Sequence, residues 1–153
     1  MMAELDDLSR KILALLQQDA TLTADEISER VALSRNAVWR RIRQMEEAGI
    51  ITGRVALADP VKLGCPLEVM VLVRTNTHDA RWMDRFQRIV RAMPEVVGVY
   101  RMSGDLDYLL RVRVADVAAY DAFYKRVIAQ VPVSDMSASF VMEEIKETTA
   151  LPL

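Results

Sequence analysis

Three features of this 153-residue chain predict an α+β fold in two parts. Residues 5 to 51 place apolar side chains at helical spacing in three successive stretches, two of them opened by capping residues. A cluster of turn residues, Asp59-Pro60 and Gly64-Cys65-Pro66, then breaks the pattern. Beyond it, strand-like and helix-like stretches follow in the order βαββαβ. The expected architecture is an N-terminal winged helix-turn-helix over residues 1–60, followed by a ferredoxin-like domain over residues 61–153.

The first helix is expected from Leu5 to Leu16, with Leu8, Ile12, Leu15 and Leu16 as its apolar stripe and Asp6 and Asp7 near the positive end of its dipole. Thr23 is a good N-cap, and Glu26 three residues on completes a capping box. A second helix should therefore start at Ala24, bury Ile27 and Val31, and stop near Ala32. Ser34 offers the next N-cap, after which Val38, Ile42, Met45 and Gly49 recur as a core-facing stripe. Opposite that stripe lie Arg35, Asn36, Trp39, Arg40 and Arg43, with Arg41 on the flank. Gly49-Ile50-Ile51 should end the helix and start the strand of a wing.

A helix of this kind fits the major groove of B-DNA, where Arg pairs with guanine, Asn with adenine, and outer arginines neutralise phosphates. The candidate DNA-binding residues are thus Ser34, Arg35, Asn36, Trp39, Arg40 and Arg43, with the N-terminal half of the helix reading bases. The bland alternative is an ordinary solvated face. Context argues against it, because Glu46 and Glu47 come only at the far end. Residues 1–60 hold 8 basic and 10 acidic side chains, yet residues 34–54 hold 5 basic and 2 acidic. Positive charge confined to one face favours a sequence-specific regulator over a packaging protein.

Composition sets further bounds: 52% of residues are hydrophobic and 27% charged, enough apolar content for packed cores. No apolar run approaches the roughly 18 residues of a membrane span, and the N-terminus lacks a basic region followed by an apolar one. A cytoplasmic protein is expected. One cysteine, Cys65, and one histidine, His78, exclude an intrachain disulfide and argue against a Cys/His zinc site, so neither metal nor cofactor is expected. Cys65 beside Pro66 reads as a small apolar filler.

In the second part, Leu67 to Arg74 is a nearly continuous apolar run with Val69, Val71 and Val73, a buried strand. Trp82, Phe86, Ile89, Val90 and Met93 then recur at helical spacing until Pro94 ends that helix. Val96 to Met102 and Tyr108 to Val114 are strands joined by Ser103-Gly104-Asp105-Leu106-Asp107, whose composition is that of a hairpin turn. A helix follows from Asp116 to Val131 with Tyr120, Phe123, Val127 and Ile128 inward, and the last strand should run from about Ser137 to Ile145. One sheet face has no helix to cover it. A second copy would, so a homodimer is expected, and two reading heads could then address two half-sites.

A winged helix-turn-helix before a βαββαβ domain resembles the Lrp/AsnC (feast/famine) family of transcription regulators, whose second part is the RAM-type domain. The resemblance spans essentially the full chain and rests on LSRNAVWRRIRQMEEAGII, GDLDYLLRV at residues 104–112 and VMEEIK at residues 141–146. The segments MPEVVGVYRMSGDLDYLLRVRVAD, FYKRV and TTALPL look like the DecR-like branch, linked to amino-acid and cysteine handling. The resemblance implies an amino acid bound between dimers, near the GDLD turn of one subunit and the last strand of another, in assemblies reaching tetramers or octamers. Asp105 or Asp107 would take the ammonium and backbone amides at Ser103 and Gly104 the carboxylate. Ser137, Ser139, Phe140 and Val141 match the family's last-strand positions, and Tyr100 and Met102 would line the pocket. Two departures stand out: Pro132-Val133 replaces the usual Pro-Gly, and Ser139 stands where many members carry a larger side chain.

Two competing functions remain. The same architecture serves tetrapyrrole (sirohaem-type) decarboxylases, which would need acid/base groups around a macrocycle, whereas this chain has a single histidine and keeps a basic reading helix. An architectural DNA protein would bind no effector.

Overall fold

The computed structural model describes residues 5–153; residues 1–4, which open the expected first domain, lie outside the described residues. The chain divides into two compact units. One holds the described residues up to Leu57 together with Lys146–Leu153, and the other holds Ala58–Ile145. The chain crosses between the units at Leu57–Ala58, close to the turn-rich stretch, and again at Ile145–Lys146, after which Gln17 both donates to the Leu151 carbonyl, at 3.1 Å, and accepts from the Leu151 amide, at 2.6 Å.

The helical unit contains α1 (Asp7–Gln18), α2 (Ala24–Val31) and α3 (Arg35–Glu47). Each starts on a side-chain cap: Asp6, Thr23 and Ser34 accept from the amides of Ser9, Glu26 and Ala37. The Thr23/Glu26 capping box is reciprocal, and the Thr23 amide and hydroxyl together hold the Glu26 carboxyl below its ordinary range. Ile12, Leu16, Ile27, Val31, Val38 and Met45 form the core, with Ile42, Ile50 and Ile51 packed against it. Burying each such side chain contributes roughly 1.5–3 kcal/mol.

Two expectations change here. Gly49 is exposed at φ +70° rather than part of the core stripe: it is the left-handed residue that closes α3. The wing strand does not form. The Ile50 and Ile51 amides fold back onto the Met45 carbonyl, at 2.9 and 3.2 Å, and among the described residues no strand forms over residues 52–59, where the one backbone bond is the Leu63 amide donating to the Asp59 carbonyl in a turn.

The second unit contains β1 (Leu67–Arg74), α4 (Ala80–Arg91), β2 (Val96–Arg101), β3 (Tyr108–Val114), α5 (Val117–Gln130) and β4 (Asp135–Phe140). The strand order is β2-β3-β1-β4 with every pairing antiparallel, as the ferredoxin-like arrangement requires. Val69, Val71, Val73, Leu110, Val112, Phe86, Phe123 and Val127 fill the core between sheet and helices. Trp82 stacks on Phe86 at 5.0 Å and donates its indole N–H to the Pro132 carbonyl. Ile128, expected inward, is 41% exposed, because the buried row of α5 runs through Tyr120, Phe123 and Val127. The last strand begins at Asp135 and ends at Phe140 instead of reaching Ile145; its ladder with β1 runs from the Arg74–Asp135 pair to the Val69–Phe140 pair.

Candidate functional site

The exposed face of α3 carries the first site. Val38 and Met45 are buried and Ile42 half-buried, which turns Arg35, Asn36, Trp39, Arg40 and Arg43 outward. Ser34 is exposed and caps the helix, so its hydroxyl is already accepting from the Ala37 amide. Arg35 lies 3.6 Å from Asp25, and Arg43 donates to Glu47 at 2.8 Å while its guanidinium sits 5.3 Å above the Trp39 ring. Trp39 is 56% exposed, a large aromatic surface held flat against a cation at the protein boundary. Arg40 and Asn36 are exposed, and among the described residues neither side chain has a partner.

Arg41 does something different. Its guanidinium donates to both Asp6 carboxylate oxygens, at 2.7 and 2.6 Å, and to the Ser9 hydroxyl at 2.9 Å, fastening α3 to the start of α1. Hydrogen bonds from the Ser9 hydroxyl and amide, joined by Arg41, hold the Asp6 carboxyl down at about 2. The turn between α2 and α3 passes through Ala32, a non-glycine residue at φ 53°, ψ 44°. Sequence periodicity did not point to the Arg41 contact, because it joins residues that meet only in the fold.

The second candidate lies at the β2–β3 hairpin. Gly104, at φ +100°, lets the loop from Met102 to Asp107 turn, and the Met102 amide donates to the Asp107 carbonyl at 2.9 Å. Tyr100, Met102, Ser103, Gly104 and Asp105 are exposed there. The two aspartates have separate roles. Asp107 is half-buried, accepts from the Thr75 amide at 2.8 Å and lies 3.8 Å from His78, so it ties the turn to the end of β1. The Asp105 carboxylate has no partner among the described residues, while the Arg74 guanidinium donates to the Asp105 carbonyl and to the Asp135 carboxylate, both at 3.0 Å. Arg74 was not singled out from sequence; the signal was a cation ending an otherwise apolar strand.

The register decides which last-strand residues can share this site. Tyr100, Leu109, Leu72 and Ser137 line up across the four strands on the helix-free face, and Gly98, Arg111, Met70 and Ser139 form the next row. The Tyr100 ring covers Gly98, where a Cβ would come within 3.0 Å of it. Phe140 lies on the opposite face, edge-on to Tyr120 at 5.5 Å, and pairs with Val69 far from the hairpin. Within one chain, then, Ser137 and Ser139 share a surface with Tyr100, and Phe140 does not. Val141 is half-buried just past the strand, its amide donating to the Glu68 carbonyl. Glu68, 5% exposed, is held on this same face by Arg111 at 2.9 Å and Arg113 at 2.9 Å, with Glu144 at 3.4 Å from Arg113.

A capped, cation-bearing helix on a three-helix core, joined to a separate sheet unit with a carboxylate-bearing hairpin, defines a DNA-binding regulator with a ligand-binding domain. Known proteins agree. The profile described as Lrp/AsnC ligand binding domain matches residues 68–151, and the one described as winged helix-turn-helix DNA-binding matches residues 5–52. The chain is 49% identical over 150 residues to the DNA-binding transcriptional activator DecR of Escherichia coli K12, covering 97% of this chain and 99% of that one. An AsnC family transcriptional regulator from Agrobacterium tumefaciens superposes with a TM-score of 0.93 at 54% identity, covering 97% of each chain. A transcriptional regulator from Neisseria meningitidis, solved as a complex with L-Met, matches with a TM-score of 0.93 at 37% identity, again over 97% of each chain. The chain belongs to the Lrp/AsnC family of transcriptional regulators. These relatives are regulators of transcription, and nothing in the comparisons supports the decarboxylase alternative. Among the described residues no helix is long and apolar enough to cross a membrane.

Proposed function

We propose that this protein is a cytoplasmic, sequence-specific regulator whose affinity for its operator is set by a small amino acid. The observation that carries the DNA half is the outward face of α3, where Arg40 and Asn36, without a partner among the described residues, are framed by the Arg43–Trp39 pair. Arg40 and Asn36, with Arg35 beside them, read base edges; Arg43 and Trp39 pack on the backbone. As a division of labour, residues 1–60 read DNA and residues 61–153 bind effector and assemble.

The effector half is supported by the exposed Asp105 carboxylate, which has no partner among the described residues and can accept from an ammonium group, beside exposed Met102 and Tyr100. Asp107, already engaged by Thr75, keeps the turn in shape. The relative solved with L-Met makes an amino acid with an apolar or sulfur-bearing side chain the first ligand to try. Ser137, Ser139, Phe140 and Val141 would come from a neighbouring subunit, since the hairpin cannot reach Phe140 in its own chain. The helix-free face supports a dimer: Met70, Leu72 and Leu109 supply apolar surface, and Glu68, Arg111, Arg113 and Glu144 sum to no net charge. Dimers would pair further into tetramers or octamers.

Fluorescence anisotropy on operator and scrambled duplexes tests the DNA reading. Arg40→Ala should lose about 1–3 kcal/mol of discrimination, whereas Arg43→Ala should weaken both duplexes alike. Equal losses for Arg40→Ala would remove its base-reading role. For the effector, calorimetry with L-Met and the other amino acids should show binding by the native protein that Asp105→Asn abolishes. A ligand that binds yet leaves operator affinity unchanged is no effector, because regulation requires differential affinity for two states.

A further inference from the structure

The helix α4 carries a second concentration of positive charge that neither DNA reading by α3 nor effector binding uses. Arg81, Arg85, Arg88 and Arg91 are all exposed, and Asp84 is the only acidic residue within the helix. At 3.6 residues per turn the four arginines fall within an arc of about 120°, opposite the buried row of Trp82, Phe86 and Val90. Their span along the axis is about 15 Å at 1.5 Å per residue. That is roughly four phosphate steps of one DNA strand, which rises about 3.4 Å per charge.

What separates these arginines from the other cations of the unit is their lack of partners. Arg74 has Asp135, Arg111 and Arg113 share Glu68, Lys125 has Asp121, Arg126 has Glu95 and Lys62 lies near Asp59. Among the described residues, none of the four α4 arginines contacts a carboxylate; Arg101 is the other such cation in the unit. Asp84 falls within the same arc, and Arg88 and Arg91 in the last turn suit the negative end of the helix dipole, yet the face keeps a net charge of +3 that a dense row of negative charge would complement. Trp82 and Phe86 beneath them are fixed in the core, which makes the row a rigid platform.

We propose that the exposed face of α4 is a second DNA-contacting surface, gripping the phosphate backbone of duplex beyond the segment read by α3. This inference rests on the chain being a DNA binder, and is independent of the effector. Phosphate contacts carry no sequence information, so the surface adds affinity and salt dependence without adding specificity.

The test replaces Arg81, Arg85, Arg88 and Arg91 by Gln in the full chain, with the four Arg→Lys substitutions as a charge-retaining control. Gln keeps helix propensity and the sites are exposed, so both variants should fold, which a cooperative thermal melt checks. Binding to a long duplex carrying the operator is measured across salt. The slope of log K against log salt should fall by about 0.9 for each contact removed, the Lys variant should keep the native slope, and the operator-to-scrambled ratio should not change. An unchanged slope in the Gln variant overturns the proposal. If that variant instead loses mass in light scattering, the row binds another copy of the chain. Loss of discrimination by Arg40→Ala, measured in parallel, shows whether the reading of α3 stands when that of α4 falls.

Discussion

Helices α3 and α4 each carry four arginines, and the company those arginines keep differs. On α3, Arg35 lies near Asp25, Arg41 is locked onto Asp6 and Ser9, and Arg43 is held between Glu47 and Trp39, which leaves Arg40 as the helix's partnerless guanidinium among the described residues. On α4, none of Arg81, Arg85, Arg88 and Arg91 has a carboxylate partner among the described residues. Neighbours that fix a long side chain remove rotamer freedom before any target arrives, so the surface presents one geometry. Unfixed cations supply charge without geometry. The contrast teaches that counting basic residues on a helix says little about its role; a reading surface is recognised by how its cations are held.

The largest expected effect comes from removing the seat of either row. Phe86→Ala should lower the unfolding free energy by about 3–5 kcal/mol and Met45→Ala by about 2–5 kcal/mol, read from urea melts, because both side chains are buried. A loss below about 1 kcal/mol for Phe86→Ala would mean that α4 is not the rigid platform described. Trp39→Ala comes next. Without the ring, Arg43 loses a cation–π contact of about 0.5–1 kcal/mol, and DNA affinity measured by anisotropy should drop a few-fold. If affinity is unchanged, the way Arg43 is held is irrelevant and the comparison breaks.

A third effect is set by pH. The Asp6 carboxyl titrates at about 2 in the folded protein against an ordinary 3.8, so its contribution is fully present above about pH 3.8 and is lost as pH falls through about 2. Arg41→Ala should raise the Asp6 midpoint in an NMR titration and shift acid unfolding to higher pH; no movement of that midpoint would separate α3 from its anchor. The smallest effect is at the turn that feeds α3. Ala32 adopts a left-handed conformation that costs an L-residue about 1–2 kcal/mol, part of which Gly gives back as unfolded-state entropy, so Ala32→Gly should gain about 0.5 kcal/mol in a thermal melt. A loss there would show that the turn is held in shape by more than its backbone.

The helices were legible because their signals are local: Thr23 with Glu26, Ser34, and the spacing of Ile12, Ile27, Val38 and Met45 each act within a few residues. The strand starts of β1 and β3 were legible for the same reason, from the alternation around Val69 and Tyr108. Where the reading failed, the cause was a partner far away in sequence. The bounds of β4 depend on its ladder with β1, more than sixty residues away in sequence, and the missing wing depends on the absence of any strand beside residues 52–59 among the described residues. In the candidate sites, composition placed Asp105 and Asp107 on one turn, but only the Thr75 amide distinguishes the structural aspartate from the free one. The family resemblance placed Ser139 and Phe140 together, and the pleat sends them to opposite faces.

The return of Lys146–Leu153 to the helical unit, stitched there by the double hydrogen bond between Gln17 and Leu151, makes the sheet unit an insert within the other. The backbone leaves between residues 57 and 58 and comes back between 145 and 146. The helical unit is thus assembled from two separate stretches of chain, so its integrity rests on residues 146–153 as well as on its three helices.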